Sequence, residues 1–466
     1  MKYKLIIFFI SISAFAFGQN WNPINNIQEY TNISAMYIDS ASNEIYLGGL
    51  FKNFNGVLAN SIIKWDGTQW SAVGSGFNNG ITSIIKHKGD LYAAGYFDSS
   101  GVKHFNMPVA KWDGSDWVTV GNDPPVHHPT GGSLKPGIYD LLSYNNKLYA
   151  LGPMMYTAPF PGTNRFDNFA VYNDTIWSGA TWWQTSVQAA FTWANMELYN
   201  GSIYLNNILI VDTCNNSSSP SQSHGFGFYR YNPVCRNMEL VGTNWNTNVY
   251  GLRSFNGYLY IGMYAVDQTY GNHVARFDGV NITPLGVGLN NTVQDFAWYQ
   301  GQLVAVGRFS SDGNNSQPLP RIATWDGFNW NPISAACGVN GFISEVFEYN
   351  NHLIISGSFD SCGTTPTGFS AIYPSQLTGI SEPNLKHSAF QFIPNPTSGF
   401  SKITNDKNEY IEKIVVFDSM GRLIIDKEIN STTNEIIFDL FSYQNGMYFI
   451  SILLKNKTVN KKLIKY

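Results

Sequence analysis

The sequence predicts an all-β protein, a seven-bladed β-propeller closed by its N-terminal strand and followed by a small β-sandwich domain. Three observations lead to this fold: a recurring phrase, four strand patterns within each repeat, and a sharp change of composition near residue 380. The phrase Trp-Asp-Gly-x-x-Trp begins at Trp65, Trp112 and Trp325, with a degenerate copy at Phe277, and neighbouring copies lie 47 or 48 residues apart. A period in the forties with several short strands is typical of propeller blades.

Each repeat contains the patterns of four strands. In the second copy, residues 81–85 alternate apolar and polar, residues 91–97 and 109–112 supply two further strand patterns, and residues 116–121 supply the fourth. Between the last two, Asp113-Gly114 predicts a two-residue primed hairpin in which both central residues have positive φ. Four antiparallel strands make one blade.

The second strand pattern gives the blade number. It occurs seven times, and its copies begin at Ile45, Leu91, Leu148, Ile203, Leu259, Leu303 and Leu353. The seventh repeat stops after its third strand at residues 369–373, whereas residues 20–24 match residues 329–333, a fourth strand. The N-terminal segment is therefore predicted to complete the last blade and close the ring, which removes exposed sheet edges. An open solenoid is the alternative.

The N-terminus has the features of an export signal. Lys2 and Lys4 precede an apolar run over residues 5–17, and small residues surround position 18. Residues 1–18 are therefore predicted to be a cleaved signal peptide, with the propeller occupying residues 19–378. A membrane anchor is the alternative, but an apolar run of about 13 residues is short for a bilayer.

The C-terminal part has a different composition. Residues 401–466 carry 10 Lys or Arg and 8 Asp or Glu, while all 13 Trp lie at or before Trp330. Residues 379–387 are predicted to be a linker and residues 388–466 a separate domain. Strand patterns at 411–418, 422–429, 435–440 and 447–455 predict a small antiparallel sandwich.

The C-terminal domain resembles a known export module. Residues 393–399 (IPNPTSG), 416–422 (VFDSMGR) and 445–449 (NGMYF), followed by a Lys-rich last strand, have the order and spacing of the type IX secretion C-terminal sorting domain of type A. The resemblance implies periplasmic transit, recognition by the type IX secretion machinery, and an extracellular or outer-membrane surface location. It also implies removal of the domain, with release of the protein or its attachment to surface lipopolysaccharide.

The repeat region resembles secreted propellers of the kelch-like and galactose-oxidase-like type, through its Gly-x-Phe, Trp-Asp-Gly-x-x-Trp and Val-Gly-x-Gly pieces. This resemblance implies a fold and no particular chemistry. The copper ligands of galactose oxidase cannot be assigned here, and no cofactor is expected. The net charge of −4 gives no reason to expect nucleic acid.

Other motifs favour structural roles. Asp98, Asp312 and Asp360 lie in Gly-rich loops without the ligand spacing of a calcium loop, so turns are favoured. His127 and His128 are adjacent and no metal site is expected. No sequence signature of a catalytic triad or of a metalloprotease is present. An enzymatic function is accordingly left open, with a non-catalytic one favoured.

Four cysteines in an exported chain allow two disulfides. Cys337 and Cys362 follow strands that end at the same face of a propeller, and their pairing is expected. Cys214 and Cys235 are close in sequence, but they follow strands that end at opposite faces, so their pairing is less well supported.

Inserted loops indicate where a ligand binds. The second to fourth repeats carry extra residues at 122–137, 153–165, 180–186 and 212–225, all after second or fourth strands and therefore on one face. Long loops on a rigid scaffold commonly build binding sites. The candidate ligand-binding residues are Tyr156, Phe160, Trp182, Trp183, His127 and His128. The sequence thus favours a secreted or cell-surface protein that binds a glycan or a protein, with a polysaccharide hydrolase or lyase as the alternative.

Overall fold

A computed structural model describes most of the chain. The described residues are 21–23, 32–39, 42, 44–126, 136–156, 166–180, 194–206, 227–234, 237–242, 245, 247–264, 270–333, 338–349, 352–363, 365–373, 390–393, 400–405, 408–418, 423–440, 443, 446–455 and 457–465. Within these residues the regular elements are β-strands, and there is no helix. The predicted all-β class is therefore confirmed.

The described residues between 21 and 373 form seven four-stranded antiparallel sheets, numbered here along the chain. In sheets 1 to 6 the four strands follow one another in sequence order. Their strands are Asn32–Asp39, Glu44–Leu50, Ile62–Trp65 and Trp70–Ala72 in sheet 1; Ile81–His87, Asp90–Gly95, Val109–Trp112 and Trp117–Thr119 in sheet 2; and Asp140–Tyr144, Lys147–Tyr156, Phe166–Tyr172 and Trp177–Gly179 in sheet 3.

Sheets 4 to 6 repeat this order. Their strands are Met196–Tyr199, Ser202–Asn206, Phe228–Asn232 and Asn237–Val241 in sheet 4; Val249–Phe255, Tyr258–Met263, Val274–Phe277 and Ile282–Pro284 in sheet 5; and Val293–Tyr299, Gln302–Gly307, Ile322–Trp325 and Trp330–Pro332 in sheet 6. Three two-stranded hairpins lie between second and third strands: Asn53–Phe54 with Val57–Leu58, Ser99–Ser100 with Lys103–His104, and Ser361–Cys362 with Thr365–Pro366.

Sheet 7 combines the two ends of this region. Its first three strands are Phe342–Tyr349, His352–Ser358 and Ser370–Tyr373, and its fourth strand is Asn22–Pro23, in which Asn22 pairs with Ile372. Trp21 is 2% exposed, and its ring centroid lies 5.1 Å from that of Tyr373. The predicted pairing of the N-terminal segment with the last repeat is therefore confirmed.

Neighbouring sheets pack face to face through their first strands. The first strand of each sheet contacts that of the next sheet, and the first strand of sheet 7 contacts that of sheet 1. The fourth-strand tryptophans bind the preceding sheet: Trp117 Nε1 donates to the Val73 carbonyl at 2.9 Å, and Trp330 Nε1 donates to the Leu285 carbonyl at 3.1 Å. The repeated tryptophans thus belong to the core between sheets.

The Asp-Gly turns differ from the predicted primed hairpin. Trp112 pairs with Trp117, so four residues connect the third and fourth strands, and Gly114 (φ 100°) is left-handed while Asp113 is not. Asp113 Oδ1 accepts the N–H groups of Ser115 and Asp116, each at 2.8 Å, and these bonds lower the pKa of Asp113 to about 2. The prediction was wrong because the aspartate side chain itself organises the turn.

The C-terminal part forms two antiparallel sheets. One contains Phe390–Ile393, Phe400–Asn405 and Glu435–Asp439; the other contains Leu423–Ser431, Ile411–Asp418, Gly446–Leu454 and Lys457–Lys465. Both sheets contribute to one apolar cluster, in which Ile403 and Ile436 of the first sheet lie with Ile414 and Ile452 of the second. Alternating apolar side chains on paired strands produce this shared core.

Candidate functional site

A pocket of about 110 Å³ lies where the first strands begin, and residues associated with all seven sheets line it. We call it the first-strand pocket. First strands begin at the face where second and fourth strands end. The sequence predicts the inserted loops on this same face. Its lining residues are Ser34, Thr82, Tyr96, Tyr139, Asp140, Ala194, Asn195, Tyr250, Arg253, Gln294, Asp295, Ser344 and Glu345.

Repeated β-bulges turn side chains towards this pocket. In sheets 1, 2, 6 and 7 the pairing of the first strand with the second skips one residue, and the skipped residues are Ser34, Thr82, Gln294 and Ser344. In sheet 5 the skip spans two residues and includes Tyr250. A bulge adds one unpaired residue and redirects its side chain. Polar residues therefore reach the pocket from strands whose other faces pack in the core.

An ion pair crosses from sheet 5 to sheet 6 in the pocket. Arg253 Nε lies 3.0 Å from Asp295 Oδ1, and Asp295 Oδ2 accepts the N–H of Val346 in sheet 7 at 3.1 Å. Glu345 shares a hydrogen bond with Asp295. Burial, and then the neighbouring Asp295 charge, raise the pKa of Glu345 well above its usual range. A neighbouring carboxylate disfavours ionisation of a carboxyl group, in the same direction as burial.

Two more carboxyl groups surround Arg253. Asp140 accepts hydrogen bonds from Ser83 Oγ at 2.9 Å and from the N–H of Met196 at 2.8 Å, which joins sheets 2, 3 and 4. Burial raises the pKa of Asp140. Glu197 accepts a hydrogen bond from Ser254 Oγ at 2.6 Å, and burial raises its pKa to about 7. Glu197 therefore changes charge near neutral pH.

Aromatic rings form another part of the lining. The ring centroids of Tyr96 and Tyr139 lie 6.1 Å apart in an edge-to-face arrangement, and burial raises both phenol pKa values. The ring centroid of Tyr250 lies 6.0 Å from that of Tyr264, and Tyr264 is 55% exposed. Both phenols of the first pair therefore remain neutral at physiological pH, and they offer ring faces and hydroxyl groups to a ligand.

The ligand-binding residues predicted on the inserted loops lie wholly or partly outside the described residues. His127, His128, Phe160, Trp182 and Trp183 lie outside the described residues. The backbone of Tyr156 ends the second strand of sheet 3, but its side chain is not among those described. These six residues stay predictions.

One observation in the structure bears on the predicted disulfides. Cys362 is disulfide-bonded, and it lies in the hairpin after the second strand of sheet 7. Cys337, Cys214 and Cys235 lie outside the described residues, so both pairings stay predictions.

The loop aspartates accept hydrogen bonds within the loops, two of them from a neighbouring loop and one within its own turn. Asp98 Oδ1 accepts Asn78 Nδ2 at 2.7 Å, and Asp360 Oδ1 accepts Asn340 Nδ2 at 2.6 Å. Asp312 Oδ1 accepts the N–H of Ser316 at 2.7 Å. Among the described residues, no three His, Cys, Asp or Glu side chains are grouped to hold a metal ion.

A larger cavity of about 690 Å³ lies between sheets 1 and 2. Leu50, Phe51 and Phe77 supply apolar surface, and Asn60 and Ser75 supply polar edges. Asn60 Nδ2 already donates to the Ser75 carbonyl at 3.1 Å. Among the described residues that line this cavity, Lys52 is the single charged one, so the cavity offers less chemistry than the first-strand pocket.

Sequence reasoning missed the first-strand pocket and its charged residues. Arg253 and Asp295 are 42 positions apart, and Asp140 lies more than a hundred positions before either of them. A signal does exist, because an apolar residue, a polar residue and a small or acidic residue recur where first strands begin, as in Ile33-Ser34-Ala35 and Val293-Gln294-Asp295.

Comparison with known families identifies the end of the chain. Residues 391–466 match the family model described as secretion system C-terminal sorting domain. The predicted type IX sorting domain is therefore confirmed, and export to the cell surface or extracellular space follows. No curated protein matches the sequence. No helix with the length and apolarity needed to span a bilayer occurs among the described residues.

Solved structures resemble the chain weakly. The extracellular domain of BT4673 from B. thetaiotaomicron, classed as a one-component or hybrid two-component system, shares 11% identity at a TM-score of 0.43 and covers 96% of this chain. The chain spans 58% of that domain's length. A puromycin-hydrolyzing peptidase of Mycobacterium tuberculosis shares 8% identity at a TM-score of 0.41, over 83% of this chain and 61% of the peptidase. TM-scores below 0.5 carry no argument about function.

Proposed function

We propose that this chain is a secreted or cell-surface binding protein that recognises a glycan at the first-strand pocket and on the loop face around it. In this proposal residues 19–378 form a seven-bladed β-propeller closed by the N-terminal strand. Residues 1–18 direct export across the inner membrane, and residues 388–466 direct passage through the outer membrane.

The cyclic order of contacts between first strands supports ring closure. Polar bonds support it as well, because the N–H of Ile33 in sheet 1 donates to Ser356 Oγ in sheet 7 at 3.0 Å. A closed ring has no free sheet edge and holds the starts of its first strands around one axis. A ligand that enters at this point contacts several blades at once.

The observation that carries glycan binding is the convergence of hydroxyl, amide, carboxyl and phenol groups associated with all seven sheets on one pocket. Sugars present many hydroxyl groups, which need donors and acceptors together with aromatic faces against their C–H surfaces. Trp182, Trp183, Tyr156 and Phe160, on inserted loops of the same face, extend the proposed surface beyond the pocket.

One observation favours a second candidate, a polysaccharide hydrolase or lyase. Asp295 and Glu345 form a hydrogen-bonded carboxyl pair, and burial raises the pKa of Glu345, which favours its protonated form. A protonated carboxyl group beside a second carboxyl group can supply an acid and a base for cleavage of a glycosidic bond. Release of new reducing ends that is lost in Glu345→Gln supports this candidate.

The proposed function is tested with a glycan array on the chain without its predicted signal peptide, residues 19–466. We expect binding that is lost in Gln294→Ala, at the pocket, and in the double variant Trp182→Ala/Trp183→Ala. Gln69→Ala, in an exposed turn of sheet 1, is the control and retains binding. A chain that binds no glycan but captures a protein partner through these residues contradicts the glycan assignment.

A further inference from the structure

We propose that the first-strand pocket anchors a primary ammonium group, carried by an amino sugar of the bound glycan. This inference rests on the proposed function and names the part of the glycan that enters the pocket. Three features carry it: the charge balance of the lining, the direction of its hydroxyl protons, and the pocket's size.

The lining has an excess of acid. Among the described residues that line the pocket, Arg253 is the single cation, against the carboxyl groups of Asp140, Asp295 and Glu345. Arg253 is held by Asp295 at 3.0 Å, and Glu197 lies close enough to act on its charge. Uncompensated charges are expensive to bury. Burial raises the pKa values of Asp140 and Glu345 and so favours their neutral forms, and a cation bound beside them would favour their charged forms.

The serine and threonine hydroxyl groups of the pocket also favour a ligand that donates hydrogen bonds, for a reason that does not depend on charge. Ser34 Oγ donates its proton to the Ile81 carbonyl at 2.6 Å, Thr82 Oγ1 to the Ile138 carbonyl at 2.5 Å, and Ser344 Oγ to the Ser356 carbonyl at 3.1 Å. Each hydroxyl has one proton and two lone pairs. With the protons used on the backbone, these oxygens remain acceptors.

An amide oxygen adds to this acceptor surface. Asn195 Oδ1 is buried and has no hydrogen-bond donor among the described residues. The pocket therefore favours a ligand group that donates hydrogen bonds. An ammonium group has three N–H donors and no acceptor. The faces of Tyr96, Tyr139 and Tyr250 suit the same group, because a cation is attracted to an aromatic ring.

The volume limits what enters. About 110 Å³ is more than one water needs. It is well below the roughly 300 Å³ of pockets that enclose a whole drug-sized ligand. The pocket therefore takes one head group, while the rest of the glycan lies on the loop face outside it.

Binding should also depend on pH with a definite sign. Burial raises the pKa values of Glu345, Glu197 and Asp140, while Arg253 stays charged and the phenols of Tyr96 and Tyr139 stay neutral. Below about pH 7 Glu197 is neutral and attracts a cation less. The contribution of Glu197 to the affinity for an ammonium group therefore grows as pH rises through about 7, at pH values where the ligand amine is still protonated.

Titration calorimetry on residues 19–466, the chain without its predicted signal peptide, tests the proposal with three probes: a β-1,4 glucosamine hexamer, its fully N-acetylated form, and a glucose hexamer. We expect the glucosamine hexamer to bind at least tenfold more tightly than the other two. Glu345→Gln should weaken its binding at least tenfold. Glu239→Gln, at an exposed ion pair of sheet 4, is the matched control and changes nothing.

The outcomes separate the two proposals. Equal binding of all three hexamers overturns the ammonium assignment and leaves glycan binding intact. Failure of every hexamer and every arrayed glycan overturns the proposed function together with this inference. A thermal melt of each variant shows that it is folded, and the comparison of acetylated with free amine needs no variant at all.

Discussion

At the scale of single residues, only glycine fits near the end of the second strands, because a backbone carbonyl oxygen at the start of the neighbouring first strand occupies the space of a Cβ atom. A Cβ built on Gly307 would lie 2.1 Å from the Thr292 carbonyl oxygen, and one on Gly357 would lie 2.2 Å from that of Phe342. The phenylalanine two positions later is buried in each case, as Phe309 and Phe359. The recurring Gly-x-Phe phrase is therefore a steric requirement and carries no ligand chemistry.

Gly307→Ala should destabilise the protein by about 1–3 kcal/mol, since the strands must separate to admit a methyl group. Thermal unfolding followed by circular dichroism measures the effect. Gly338→Ala is the control, because no atom lies within 4 Å of its added Cβ, and we expect a change within about 0.5 kcal/mol. Equal melting temperatures for the two variants would show that the strands absorb the methyl group.

Glu197 is expected to make stability fall as pH rises. Its pKa is raised from 4.5 to about 7 in the folded protein. Between these values the unfolded chain has lost a proton that the folded chain keeps, so deprotonation favours unfolding. At about 1.4 kcal/mol per pKa unit, the loss approaches about 3 kcal/mol above pH 7.

The measurement compares variants, because His87 and His273 act in the opposite direction. Burial lowers both histidine pKa values, so they reduce stability as pH falls below 6.5. The melting temperature of Glu197→Gln minus that of the wild type should therefore be several degrees larger at pH 8 than at pH 5. Glu239→Gln should leave this difference unchanged, since hydrogen bonds from Asn232 and Arg230 lower its pKa. An unchanged pH slope in Glu197→Gln would refute a raised pKa at this position.

At the scale of strands, the sequence predicted positions well and connections less well. Second strands lie where the repeat places them, as Leu91 in Asp90–Gly95 and Leu353 in His352–Ser358 show. Alternation of apolar residues reports which face is buried, and it survives sequence divergence between repeats. The Asp113 turn was mispredicted because a side-chain hydrogen bond to the backbone replaced the backbone geometry assumed for it.

The candidate site was not predictable from the same signals. A β-bulge at Gln294 or Ser344 breaks the two-residue period, and nothing in one repeat shows which polar side chain faces its counterparts in other repeats. Arg253, Asp295 and Glu345 meet only because three sheets pack in order. Pocket chemistry that depends on several repeats becomes visible when their relative placement is known.

The N-terminal strand gives an element-scale prediction. Trp21→Ala should cost about 3–5 kcal/mol, because it leaves a cavity against Tyr373 between sheets 6 and 7. Deleting residues 19–26 should lower the melting temperature further, since the third strand of sheet 7 then loses its partner. Phe328→Ala, at a side chain that is 83% exposed, controls for loss of an aromatic residue. An unaltered melting temperature in the deletion would show that the strand does not stabilise the fold.

At the scale of the whole molecule, polar bonds at the first strands join consecutive sheets. Asn206 Nδ2 of sheet 4 donates to the Val249 carbonyl of sheet 5 at 2.8 Å. Arg253 of sheet 5 forms an ion pair with Asp295 of sheet 6, and Asp295 accepts the N–H of Val346 in sheet 7. The groups that line the pocket therefore also hold the sheets together. This double role explains why binding variants need a thermal melt beside them.

The two parts of the chain bury separate cores. The apolar cluster of the C-terminal sheets draws on residues from Phe390 to Leu463, and the clusters of sheets 1 to 7 contain none of them among the described residues. A unit with its own core can fold without its neighbour. Folding of residues 19–387 should therefore not require the sorting domain.

Deleting residues 388–466 should leave a folded protein that stays in the periplasm of a host with type IX secretion. The match of residues 391–466 to the sorting-domain family is the basis for this expectation. Fractionation with immunoblotting measures the location, and protease resistance of the periplasmic protein measures folding. The full-length chain, expressed alongside, should reach the cell surface or the medium. Secretion of the truncated chain would show that the export signal lies elsewhere, whereas its degradation would show that sheets 1 to 7 depend on the C-terminal domain for stability.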